Sequence, residues 1–131
     1  MLAPMKITPV LVVPAIEPVL PLWEALGFTR TTDVPHDDVL GFVILAGDGA
    51  EVMYQTEASV AADEARVLEG PKPLGATSLF VQVDDLDAIV AKLPQGTDIV
   101  VERRTTFYGS TETFIRDAAG NVIVFAQFAP A

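Results

Sequence analysis

Few side chains in this chain can do chemistry beyond packing, and their types already restrict what it does. There is no cysteine, which removes disulfides, thiolate metal sites and a cysteine nucleophile together. The single histidine, His36, lies in "VPHDDV" beside Asp37 and Asp38, a polar turn that reads as a solvated loop before it reads as a metal site. Glu51, in "AEVMYQT", is a lone carboxylate on a strand whose alternation places Met53 and Gln55 on the same face. Such an acid either meets a ligand amine or hydroxyl, acts as a base with raised pKa, or reaches water at a strand end. Arg103, Arg104 and Arg116 are the cations beside the last strands; Arg103 and Arg104 diverge, so only one can face a cleft, where it would favour an anionic ligand, and the other reading is that one of them simply pairs with Glu102 or Glu112 across the strands. No Ser-His-Asp, Cys-His or paired-carboxylate arrangement can be placed.

These residues are positioned by a plan that runs twice. "KITPVLVV" reads as a strand and "PAIEPVLPLWEALGF" as a helix with Ile16, Leu20, Trp23 and Leu26 inward, stopped by Gly27 and with its first regular turn delayed by Pro21. "TRTTDVP", "VLGFVILAG" and "AEVMYQT" follow as strands separated by the turn signals "PHDD" and "GDG". Residues 57–75 read as a short helix and a linker. Then "ATSLFVQV" restarts the pattern, with a helix over "DDLDAIVAKLP" capped by Asp84 or Asp85, and strands in "DIVVERRT", "TETFIRD" and "NVIVFAQF". In "DAAGN", Asp117 is placed to receive backbone N–H groups while Gly120 and Asn121 tolerate positive φ. Matching elements recur at a nearly constant offset, which indicates an internal duplication. The expected fold is α+β: one domain over residues 1–131, with a βαβββ module at 6–56, a linker at 57–75 and a second module at 76–128. The paired modules form a curved mixed sheet around a cleft suited to a small ligand.

The tract "TPVLVVPAIEPVLPLWEALGFTR" (Thr8 to Arg30) and the run of "YG", "RDAAGN" and "VIVF" between Tyr108 and Phe125 resemble the vicinal oxygen chelate superfamily. That superfamily comprises glyoxalases, extradiol dioxygenases, and fosfomycin-resistance and bleomycin-resistance proteins. Both tracts look most like the bleomycin-resistance branch, although Thr111, Glu112 and Thr113 depart from its pattern ahead of the aspartate turn. The resemblance implies four metal-ligand positions, one on the first and one on the last strand of each module, and these fall on Thr8, Glu51, Ser78 and Val124. Two hydroxyls and an aliphatic cannot hold a divalent ion with one carboxylate, and a register slip on the last strand offers only Val122 or Ala126.

No metal and no cofactor is therefore expected. The residues expected to bind ligand are Thr8, Val10, Glu51 and Met53 from the first half. From the second they are Ser78, Phe80, Gln82, Phe107, Tyr108, Glu112, Phe114 and Val124. The function this implies is sequestration of a small organic molecule in a dimer cleft, as in bleomycin-resistance proteins. The alternative is a glyoxalase-like lyase, isomerase or dioxygenase with its ion held elsewhere, for instance by Glu51, Glu112 and Gln127.

Eighteen acids against eight bases give a net charge of −10, which repels nucleic acid and anionic lipid. No run of residues reads as a secretory leader or a membrane helix, so a cytoplasmic protein is expected, with no nucleic-acid or membrane partner. Half the residues are hydrophobic, more than so small an interior takes up, and a homodimer is expected to cover the excess.

Overall fold

The computed structural model describes residues 6–69 and 77–129. Its elements follow the repeated plan. Strand β1 (Val10–Val13) leads into a 3-10 turn (Glu17–Val19) and helix α1 (Leu20–Ala25). Pro21 lies in the first turn of α1, where its missing N–H costs least, and the tighter turn precedes it as the sequence suggests. Gly27, at φ 92°, ends the helix in the left-handed conformation, with Phe28 N–H returning to the carbonyl of Trp23 at 2.9 Å.

Strands β2 (Thr29–His36), β3 (Val39–Gly47) and β4 (Ala50–Thr56) are joined by two-residue turns at 37–38 and 48–49. Asp48 and Gly49 both adopt positive φ, 49° and 79°, the backbone that matches the twist of paired strands. Helix α2 (Glu57–Glu64) follows, its first turn held by Ser59 N–H donating to Thr56 Oγ1 at 3.1 Å, and then a 3-10 turn at Ala65–Leu68. The rest of the expected linker, residues 70–75, lies outside the described residues.

The second run comprises β5 (Ser78–Gln82), α3 (Leu86–Lys92), β6 (Asp98–Thr105), β7 (Ser110–Arg116) and β8 (Val122–Phe128). Between the two candidate caps of α3 the structure selects Asp85, whose Oδ1 accepts from Ala88 N–H at 3.1 Å. In "DAAGN" only Gly120 takes positive φ, so Asn121 does not use the freedom the sequence allowed it.

The strands form two four-stranded mixed sheets of identical plan, β1-β4-β3-β2 and β5-β8-β7-β6. In each, the first strand runs parallel to the last and the remaining pairs are antiparallel. One face of each sheet enters a shared core. Val13, Val43, Leu45 and Tyr54 come from the first, Ile115, Ile123 and Phe125 from the second, with Trp23 and Leu86 from the helices. Burying each such side chain contributes roughly 1.5–3 kcal/mol. The opposite faces are left open, with Val10 47% and Phe80 55% exposed. Among the described residues, no helix is long and apolar enough to cross a membrane.

Candidate functional site on the open sheet faces

The open face of the second sheet is built in rows by the ladder. Phe80, Val124 and Phe114 lie side by side on β5, β8 and β7. Gln82, Ala126 and Glu112 form the next row, and Arg104 on β6 extends it opposite Glu112. The first sheet repeats the plan with Val10, Met53 and Ile44, then Val12, Gln55 and Phe42. A buried carboxylate in the second half therefore stands where the first half has a phenylalanine.

Glu112 has no exposed surface, yet both its oxygens are occupied. Oε1 accepts from Arg104 Nε at 2.9 Å and Nη2 at 2.8 Å, and Oε2 accepts from Tyr108 OH at 2.7 Å and Ser110 Oγ at 2.8 Å. Burial pushes its pKa up, but the hydrogen bonds from Tyr108, Ser110 and Arg104 and the charge of Arg104 outweigh it, so the carboxyl lies below its ordinary value. Glu112 is thus a structural anion that organises the face. Arg103 turns the other way, pairing with Asp87 on α3, as divergent neighbours on a strand must.

Aromatic rings border this network. Tyr108 is 6.3 Å from Phe128, Phe128 is 6.3 Å from Phe80, and Phe107 at the β6–β7 tip stands 5.3 Å from Tyr108. Phe107 is fully exposed. Phe128 and Arg104 were not among the expected ligand residues, although alternation from Val124 through Ala126 points to Phe128 and the spacing of "RRTTFYGSTE" allows Arg104 to meet Glu112.

A groove of about 280 Å³ joins this face to the first half. Glu51, Phe80 and Gln82 line it together with Trp23 and Phe28. Thr8, Val10, Met53 and Ser78 are not among its described lining. Glu51 is not a desolvated acid there: Lys6 Nζ lies 2.9 Å from its Oε1, and its side chain is 29% exposed. His36 ends β2 and faces Asp37 at 3.8 Å, a turn pair remote in the ladder from the rows above.

A model of the Glyoxalase/Bleomycin resistance protein/Dioxygenase superfamily matches residues 8–125. The chain belongs to that superfamily. Solved members of this fold include a glyoxalase/bleomycin resistance protein/dioxygenase from Nocardioides, with TM-score 0.72 and 14% identity over 100% of this chain and 88% of that one. TioX from Micromonospora sp. ML1 gives TM-score 0.74 and 19% identity over 96% and 100%. Lactoylglutathione lyase from Agrobacterium tumefaciens gives 0.73 and 14% over 95% of each chain. At such identities the likeness speaks for the fold alone. No curated protein matches the chain.

The superfamily's four ligand positions can now be placed by the ladder, which corrects one of them. Val10 faces Met53 as Phe80 faces Val124, so the counterpart of Val124 is Met53, and Glu51 corresponds to Val122. Glu51 and Met53 share a face, so alternation alone could not separate them; only the pairing does. The set becomes Thr8, Met53, Ser78 and Val124, two hydroxyls, a thioether and an aliphatic, and it does not fit a divalent ion. Nor do Glu51, Glu112 and Gln127 form a substitute. Glu51 is engaged by Lys6, Glu112 by Arg104, Tyr108 and Ser110, and Gln127 Oε1 by Leu86 N–H at 2.7 Å in the first turn of α3. Among the described residues no three His, Asp or Glu side chains gather as a metal site.

Proposed function

We propose that this superfamily member binds a small organic molecule without a metal ion, in the manner of the bleomycin-resistance branch. The ligand would lie on the open faces carrying Val10 and Met53 in one half and Phe80, Gln82, Tyr108, Phe114 and Val124 in the other. The observation that carries this reading is the donor set at the equivalent positions, which has no imidazole and no carboxylate. The composition of those faces, apolar with a few hydrogen-bonding groups, suits burial of an organic molecule better than Lewis-acid chemistry. Sequestration requires no nucleophile and no acid–base pair. Exposed Val10, Phe80 and Tyr108 support a homodimer in which a second copy closes what one chain leaves open. The lack of cysteine suits a reducing cytoplasm.

The test is the metal content of protein purified without chelator, together with a thermal-shift screen of metals, antibiotics and small metabolites. The expected result is substoichiometric nickel, zinc, iron and manganese, a melting temperature unmoved by chelator, and a rise with at least one organic compound. One full equivalent of a divalent ion would put a glyoxalase-like lyase, isomerase or dioxygenase in its place. Sedimentation at micromolar concentration tests the dimer, and a monomer would contradict it.

A further inference from the structure

Among the charged groups of the second sheet's open face, Glu112 is sealed and Arg104 is half exposed. The guanidinium carbon of Arg104 sits over the Phe114 ring, 4.6 Å from its centroid, so the cation rests on an aromatic support. Its Nε and Nη2 are directed to Glu112, and Nη2 is 3.4 Å from Tyr108 OH. A guanidinium has five N–H donors in a fixed fork, and no described residue engages those on Nη1. The ion pair is therefore neutral as a unit but oriented, with its anion beneath the surface and its cation at it. A ligand arriving on this face meets the positive end of a dipole. Beside that end stand Tyr108, Phe128 and Phe80, rings 6.3 Å apart in sequence, with Phe80 more than half exposed.

We propose that this face selects a planar aromatic carboxylate, its ring against Phe80, Phe128 and Tyr108 and its carboxylate on Arg104. The inference rests on the reading of this face as a ligand site and adds the charge and shape of what it takes. The chain's net charge of −10 favours the opposite choice at long range, a cation. Contact-range recognition wins because a charge-assisted hydrogen bond from Nη1 acts where counterions do not screen it, whereas charges more than about 8 Å away are largely screened at physiological salt. Glu51, which lines the groove beside Phe80, is paired with Lys6 and does not reverse the preference.

Three probes of one shape separate the possibilities by titration calorimetry on the full chain: 2-naphthoate, 2-naphthol and 2-naphthylmethylammonium. The expected order places naphthoate about tenfold or more tighter than the ammonium compound, with naphthol between them. In the double variant Arg104→Met with Glu112→Gln, which removes both charges together, the advantage of naphthoate over naphthol should disappear, whatever becomes of the affinity the two share. Equal affinities, or preference for the ammonium, overturn the charge assignment and leave the ligand face standing. Naphthoate keeping its advantage in the double variant removes Arg104 as the reader. Failure of all three probes to bind overturns the ligand face and this inference with it. Should the double variant not fold, the order of the three affinities in the natural protein still decides.

Discussion

Tyr54 on β4 donates its hydroxyl hydrogen to Oδ2 of Asp117, at the head of the turn between β7 and β8, across 2.9 Å. Both residues are buried, and the bond joins the two halves of the chain. The same hydroxyl accepts from Trp23 Nε1 of α1 at 3.0 Å, while Asp117 also receives the backbone N–H groups of Ala119 and Asn121. One polar chain thus fixes helix, first sheet and second turn to one another inside an apolar core.

Removing the Tyr54 hydroxyl should therefore loosen the whole fold. Tyr54→Phe keeps the ring but leaves the Trp23 N–H without an acceptor and takes a donor from Asp117, a loss of about 1–3 kcal/mol. Urea unfolding followed by the fluorescence of Trp23, the single tryptophan, should show a lower midpoint at unchanged slope. A midpoint equal to that of the natural protein would contradict the buried chain.

Alkaline pH should erode the same contribution. Burial first, and the negative charge of Asp117 second, hold the Tyr54 hydroxyl far above its ordinary value of 10.0. The unfolded chain then ionises Tyr54 above about pH 10 while the folded protein keeps the proton. The contribution is fully present below that pH and falls as pH rises beyond it. The stability gap between the natural protein and Tyr54→Phe should narrow from about pH 9 to pH 11, and a constant gap would refute the assignment.

Glu112 makes the opposite prediction at low pH. Its carboxyl is held below the ordinary 4.5, so its contribution is present above about that pH and is lost as pH falls through the lower folded value. Glu112→Gln should cost about 1–3 kcal/mol at neutral pH and show a flatter acid limb than the natural protein. Parallel acid limbs would mean that folding does not lower the Glu112 carboxyl below its ordinary value.

Glu51 should matter little to stability. Its partner Lys6 is 73% exposed, and solvent screens the pair. Glu51→Gln is expected to change stability by less than about 1 kcal/mol, with the difference fading in high salt. A larger, salt-independent loss would show that Glu51 is desolvated as one sequence alternative holds.

Periodicity and turn chemistry were sufficient for the elements. β-Branched runs, the glycine that stops α1, "GDG", and the restart at "ATSLFVQV" each depend on local backbone preference, and each appears where the residues place it. What the residues could not supply was pairing across the chain. Glu51 and Met53 point the same way, and only the ladder makes Met53 the equivalent of Val124. Glu112 is a polar residue on a strand until Arg104, Tyr108 and Ser110 close on it, and Tyr54 is ordinary core until Asp117, far along the chain, meets its hydroxyl. Alternation fixes a side chain's face within one strand; its register and its distant partners arise only when packing brings separate strands together.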